Sequence, residues 1–292
     1  MIEVTTTVMP RNAIGRPRSV DELLAWVRAA RLGPDPAEVR VASAFLTVHS
    51  TRHVGRNQLY RNEILSIRVG AGVGSCAFEP GERADHADAV DDCVGASIAE
   101  LLDHPRRTVR IAGLDAYLAH ARPHPDAGGF RARTSVVAGV SSLAKSQARA
   151  VGVIDLLPAR TRTVLVIGVV NSLLAQLRRR GIDYIPCDLA GGVTEWGEPV
   201  RTRADTVLEP YDALLVTGMC LGNDSFDELL GHARSRRIPM VMFAQTGSAV
   251  LPWFVGSPGL TAVAAEPYPF FSLDGGPSLH YHYRGEELPC RG

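Results

Sequence analysis

Residues 163–168, Thr-Val-Leu-Val-Ile-Gly, decide the fold. A short, unbroken apolar run that ends in glycine reads as a strand buried on both faces, and a sheet must carry helices on both sides to bury it so. Toward the C-terminus, residues 171–180 read as a helix closed by Gly181 and residues 182–187 as a second strand. Residues 212–218 (DALLVTG) read as a third strand, 224–236 as a helix and 239–244 (PMVMFA) as a fourth strand. A short helix is expected near 248–255 and a fifth strand at 260–264. Apolar strands alternating with helices predict a Rossmann-like, doubly wound parallel sheet over residues 159–292.

Upstream the texture differs. Ser19, three residues before Glu22, makes a capping-box pattern ahead of Leu23, Leu24, Trp26 and Val27, so 19–32 predicts a helix that Gly33 and Pro34 stop. Residues 39–49 and the stretch holding Ile64, Ile67 and Val69 read as strands, and residues 70–74 (GAGVG) force a bend. Residues 86–102 predict one helix, 108–112 a short strand, 114–121 a helix, 122–129 a loop and 142–157 a long helix. This mixture without a fixed repeat predicts a small α+β domain over 1–158, and the texture changes near 157–163.

The length, 292 residues, suits two domains. Apolar residues at 46% and charged residues at 21% match a soluble globular chain. Lys plus Arg, 31, equals Asp plus Glu, 31, so the basic excess of a general nucleic-acid binder is missing. No apolar run reaches the roughly 18 residues of a membrane helix, and the opening MIEVTTTVMPRN lacks the basic-then-apolar order of a signal peptide. The widely spaced cysteines, Cys76, Cys93, Cys187, Cys220 and Cys290, contain no C-x-x-C and predict reduced thiols in a cytoplasmic protein. A homo-oligomer, most simply a two-fold dimer, is expected on general grounds.

In an open parallel sheet the ligand crevice lies at the carboxyl ends of the strands, where strand order reverses. The relevant turns hold Gly168, Asn171 and Ser172, then Thr217, Gly218, Cys220 and Asn223, then Gln245, Thr246 and Ser248. Small polar side chains and backbone amides at helix starts suit an anionic ligand. Helix capping is the competing explanation for Asn223 and Ser248. Asp188, 20 residues after Gly168 at the end of the second strand, stands where an acid binds ribose hydroxyls in a dinucleotide site. The rest of the G-x-G-x-x-G fingerprint is missing, and a loop or capping role competes.

Candidate metal ligands are Cys220, His49, His280 and His282. His280 and His282 lie two apart, so a strand presents both to one side. An exposed His/Tyr edge strand is the commoner origin of such a pattern and is the expectation here. His53 and His86 are further histidines of the first half, and Cys187 adjoins Asp188. Buried packing is the usual fate of a cysteine. Lys145 is the only lysine in an Arg-rich chain. It is a candidate nucleophile, through Schiff-base chemistry, or an incidental surface residue. No G-x-S-x-G, H-E-x-x-H or kinase-type set occurs.

Four stretches carry a resemblance: residues 69–77 (VGAGVGSCA), 148–157 (ARAVGVIDLL), 211–230 (YDALLVTGMCLGNDSFDELL) and 240–254 (MVMFAQTGSAVLPWF). With them the chain resembles the heavy-metal-chelation family, whose members join an enolase-amino-terminal-like α+β domain to a Rossmann-like domain. The chain departs from the family pattern at Asp155, where an Asn is usual, at Val169-Val-Asn-Ser172 and at Gln245-Thr-Gly-Ser248. The resemblance implies a site in the crevice between the domains and a role with metal ions or metal chelates.

Three functions follow as expectations. The first is a cytoplasmic protein that binds a metal ion, or a small anionic metabolite that chelates one, between its domains. The second is an enzyme of a specialised biosynthetic pathway acting on a small anionic metabolite, with an adenosyl cofactor held by Asp188 or with Lys145 as nucleophile. The third is a non-catalytic partner subunit. No nucleic acid or membrane partner is expected.

Overall fold

The computed structural model describes residues 15–52, 59–79, 86–268 and 276–285. His53 and Cys290 lie outside them. Helix α1 (Val20–Arg28) starts where the Ser19 hydroxyl accepts the Glu22 amide, as the capping pattern predicts. The Glu22 carboxylate accepts the amide of Arg18 rather than that of Ser19. Strands β1 (Ser43–Arg52), β2 (Leu59–Val69) and β3 (Gly72–Ala77) form an antiparallel meander. β1 and β2 pair along their whole length, from Ser43↔Arg68 to Arg52↔Leu59.

Helices α2 (His86–Asp91) and α3 (Ile98–Leu102) replace the single helix expected over 86–102. Gly95 takes a left-handed φ of 80°, and Ser97 with Glu100 forms a complete capping box that starts the second helix. Helix α4 (Arg107–Ala121) corrects a second expectation, because 108–112 is helix and not strand. Thr108, Val109, Ile111, Ala112 and the residues as far as Leu118 are nearly all buried. A helix buried all round shows no amphipathic stripe, and its β-branched run imitates a strand. It can lie directly on β3 because of Gly74. A Cβ there would stand 2.5 Å from the Ala112 carbonyl oxygen and closer still to the Ala116 amide.

The second sheet contains β4 (Arg133–Val137), β5 (Thr163–Ile167), β6 (Asp183–Cys187), β7 (Ala213–Thr217), β8 (Met240–Ala244), β9 (Leu260–Ala265) and β10 (Ser278–Arg284). Its order is β4-β10-β9-β8-β7-β5-β6. The run from β9 to β6 is parallel, and β10 is antiparallel to both neighbours. Helices α5 (Ser142–Ile154) and α6 (Asn171–Arg179) cover one face, packing Val153 and Leu174 on Val164, Val166 and Leu215. The short α7 (Met219–Gly222) and α8 (Phe226–Arg236) lie on the other, where Leu165, Leu214 and Met242 join the main core. Each such leucine contributes about 1.5–3 kcal/mol by leaving water. The buried runs along β5, β7 and β8 therefore hold the sheet in place.

Strand β4 and helix α5 belong to this larger sheet by pairing and packing, although both precede the change of texture near 157–163. The His280–His282 strand corrects the expectation of an exposed edge. β10 lies between β4 and β9, with His280 and Tyr283 at 1% and 0% exposure. Strand order reverses between β5 and β7, which opens the sheet's carboxyl end toward the small sheet.

Candidate ligand cleft at the switch point

A cleft of about 710 Å³ lies where the carboxyl ends of β5, β6, β7 and β8 face the outer ends of β1 and β2. Alternation on the hairpin points His49 and Thr51 of β1, and Tyr60 and Asn62 of β2, to this side. Helix α5 adds Lys145, Ser146 and Arg149.

The two sheets are tied together beside the cleft by Asp115 of α4. Its carboxylate is 1% exposed and accepts the Ser75 amide at 2.8 Å and the Ala249 amide at 2.7 Å. The amides of Ser248 and Val250 also act on it. Burial pushes the carboxyl up to about 7, against the opposing pull of these amides. The Gly247 amide donates back to the Ser75 carbonyl at 2.9 Å. The turn after β8 thus finds its hydrogen-bond acceptor within the protein. Ser248, 1% exposed, serves that contact and does not line the cleft.

The other crevice residues converge. Gly168 has a φ of 88°, and a Cβ on it would press on the Thr217 side chain, 2.8 Å from Cγ2. Glycine therefore lets the ends of β5 and β7 meet. Helix α6 starts at Val170 without a side-chain cap, and Asn171 and Ser172 line the cleft at its first turn. Asn171 Nδ2 donates to the Tyr60 hydroxyl at 2.6 Å, which bridges the cleft from the large sheet to the hairpin. Ser146 Oγ donates to Ser172 Oγ at 2.9 Å. Thr217, Gly218 and Thr246 line the middle. Asn223 also lines it while its Oδ1 accepts the amide and hydroxyl of Ser225 at 3.2 and 2.6 Å; Ser225, not Asn223, is the N-cap of α8, so the expected capping role falls two residues beyond it.

Charge in the cleft is partly committed. Lys145 Nζ donates to the Gly276 carbonyl at 2.8 Å. Arg149 pairs with Glu266, a fully buried carboxylate that also accepts from Gln245 Nε2 at 2.9 Å and from Ser278 Oγ. Asp188 accepts the Val169 amide at 2.9 Å and the Ala190 amide at 3.0 Å.

The four candidate metal ligands do not come together. Cys220 and His49 line the cleft, whereas His280 and His282 face α5, over Gly152, with their rings hydrogen-bonded at 3.1 Å. Burial pushes the Cys220 thiol up and the His49 imidazole down, which leaves the thiol protonated and the imidazole neutral. Burial, then Asp188, pushes the Cys187 thiol up to about 11. Among the described residues no three His, Cys, Asp or Glu side chains form a group that could hold a metal ion. Sequence reasoning missed Tyr60, Arg149 and Asp115. The alternation Tyr60-x-Asn62-x-Ile64 was the available signal for the first of these.

Residues 152–258, which contain the strand ends of β5 to β8, match the family model DUF364, described as "Putative heavy-metal chelation". A DUF364-family protein of unknown function from Desulfitobacterium hafniense is similar in structure, with a TM-score of 0.51 and 15% identity over 91% of this chain and 99% of that one. Another from Pyrococcus horikoshii has a TM-score of 0.53 and 13% identity over 90% of this chain and 99% of that one. Identities this low speak for the fold. The expected resemblance and fold class therefore stand. No curated protein matches the chain.

Proposed function

We propose that this chain, which carries a DUF364 segment over residues 152–258, binds a small anionic metabolite that chelates a metal ion. The cleft at the switch point is the site. One observation carries the reading: the uncapped start of α6 opens into a cleft lined by Asn171, Ser172, Thr217 and Thr246, with Lys145 and Arg149 beside it. Backbone amides at a helix start, hydroxyls and cations are the groups that suit carboxylate oxygens. The donor set does not fit a resident metal, because the described residues offer no three-ligand group. The metal is therefore cargo that enters inside its chelate.

Native mass spectrometry with metal analysis of untagged protein tests this reading, together with calorimetric titration of citrate, zinc and zinc citrate. Zinc citrate should bind more tightly than zinc alone, and Ser172→Ala with Thr217→Val should weaken it. Equal binding of zinc alone, or no binding by any of the three, overturns the reading. An enzymatic reading is favoured by Lys145, a 7%-exposed amine on the cleft wall. Borohydride trapping of pyruvate on Lys145 would establish it, and a clean blank would remove it.

A further inference from the structure

Glu266 follows β9, and its amide donates to the Ala244 carbonyl at the end of β8 at 2.8 Å. Its carboxylate is 0% exposed and does not line the cleft. One carboxylate oxygen accepts Arg149 Nε and Gln245 Nε2, the latter at 2.9 Å. The other accepts Arg149 Nη2 at 2.9 Å and the Ser278 hydroxyl. Four donors, two on each oxygen, fill the lone-pair sites of a carboxylate. Glu266 therefore has no capacity left for a ligand. The side chain it holds, Arg149, is 13% exposed and does line the cleft.

The way Arg149 is held sets its direction. A guanidinium is planar and rigid, so fixing its Nε–Nη2 edge on Glu266 fixes the plane of the whole group, including the Nη1 end. Gln245, just past β8, and Ser278, at the start of β10, lock the carboxylate in turn. Replacing a buried ion pair by apolar side chains of similar size is often neutral or stabilising, so packing alone does not require this arrangement. A cation positioned in advance does serve recognition, because less freedom is lost when it binds. Lys145, four residues earlier on α5, lines the cleft one turn away and supplies a point charge rather than a fork.

We infer that Arg149 selects the ligand by taking a carboxylate on its Nη1 side, and that Glu266 is the positioning residue that aims it. The ligand class narrows to polycarboxylates that keep one carboxylate off the metal. This rests on the reading of the cleft as the site of an anionic chelate, and it places the recognised arm where α5 meets the ends of β8 and β9.

Calorimetric titration of zinc citrate and zinc malonate into the full chain, Arg149→Lys and Glu266→Asp tests the assignment. Both substitutions keep the charge. The first removes the fork, and the second withdraws the carboxylate by one methylene. Each should raise the Kd of zinc citrate at least about tenfold with one equivalent still bound. Zinc malonate, whose two carboxylates both serve the metal, should bind all three chains alike. Unchanged zinc citrate affinity in either variant overturns the inference even if Tm falls, since that is what a purely structural pair does. An equal loss for zinc malonate overturns it as well. A crystal structure of the unmodified chain with zinc citrate reads the contact without any substitution, which decides the matter where a variant does not fold. A carboxylate on Arg149 and off the zinc is the expected result, and every carboxylate lying elsewhere overturns the inference. Zinc citrate bound in the cleft away from Arg149 leaves the cleft reading intact, whereas no binding to the unmodified chain overturns both.

Discussion

Replacing Asp115 with alanine removes the group that ties α4, the small sheet and the turn after β8 into one unit. The Ser75 and Ala249 amides, at 2.8 and 2.7 Å, lose their acceptor at a site 1% exposed. A buried donor without a partner costs about 1–3 kcal/mol, so these two amides give roughly 2–6, centred on about 4 kcal/mol. At about 2–4 °C per kcal/mol for a chain of this size, Tm should fall by roughly 10 °C. Differential scanning calorimetry reads this directly. The pH dependence gives a second, signed test. Burial pushes the folded-state carboxyl up to about 7, against about 3.9 in the unfolded chain. Between those values the folded chain holds the extra proton, so the contribution of Asp115 falls as pH rises from about 4 to about 7. The gap between wild type and Asp115→Ala should therefore be largest near pH 4.5 and narrow toward pH 7.5. A variant within about 1 kcal/mol of wild type at pH 5 would refute the tethering role. A gap that widens with pH would show that the four amides outweigh burial.

Further substitutions probe other parts of the fold. Gly74→Ala would place a Cβ 2.5 Å from the Ala112 carbonyl oxygen, backbone against helix, and should cost about 3 kcal/mol or prevent soluble folding. A Tm within 2 °C of wild type would contradict the close packing of α4 on β3. Tyr60→Phe removes the 2.6 Å bond to Asn171 across the cleft. It should change stability by only about 1 kcal/mol while hydrogen exchange at residues 60–62 quickens, and unchanged exchange would show that the bridge does not hold the hairpin. Burial, then His282 and Arg149, pushes His280 down to about 3. The unfolded chain gains a proton below about 6.5 that the folded chain refuses, so wild type should lose stability relative to His280→Leu as pH falls from about 6.5 toward 3. Parallel urea titrations at pH 7 and pH 5 check that sign.

The parallel strands were legible because a strand buried on both faces must be apolar without interruption, as Thr163–Ile167 and Met240–Ala244 are. Gly168, Asn171, Ser172, Asp188, Thr217, Gly218, Cys220, Asn223, Gln245 and Thr246 could be placed on the cleft for a related reason. Each lies at or just beyond a strand's carboxyl end, and a doubly wound sheet puts those ends on one rim. His49 and Lys145 also reach the cleft, but from outside the parallel sheet.

Long-range pairing and burial decided the rest. α4 imitates a strand in its first turns because burial on several sides erases its periodicity. The His280–His282 strand becomes interior because β4, more than 140 residues earlier in the chain, pairs with it through Val137↔Ser278 and its neighbours. Ser248 turns away from the cleft because Asp115, from a helix in the other half of the chain, supplies the acceptor for the amides of its turn. Periodicity and turn chemistry act over a few residues and are written locally, so the sequence by itself determined the parallel strands β5 to β9, their alternation with helices and the rim they share. Which carboxylate meets which amide, and which strand lies at an edge, depends on contacts between segments far apart in the chain, and only the tertiary structure decided them.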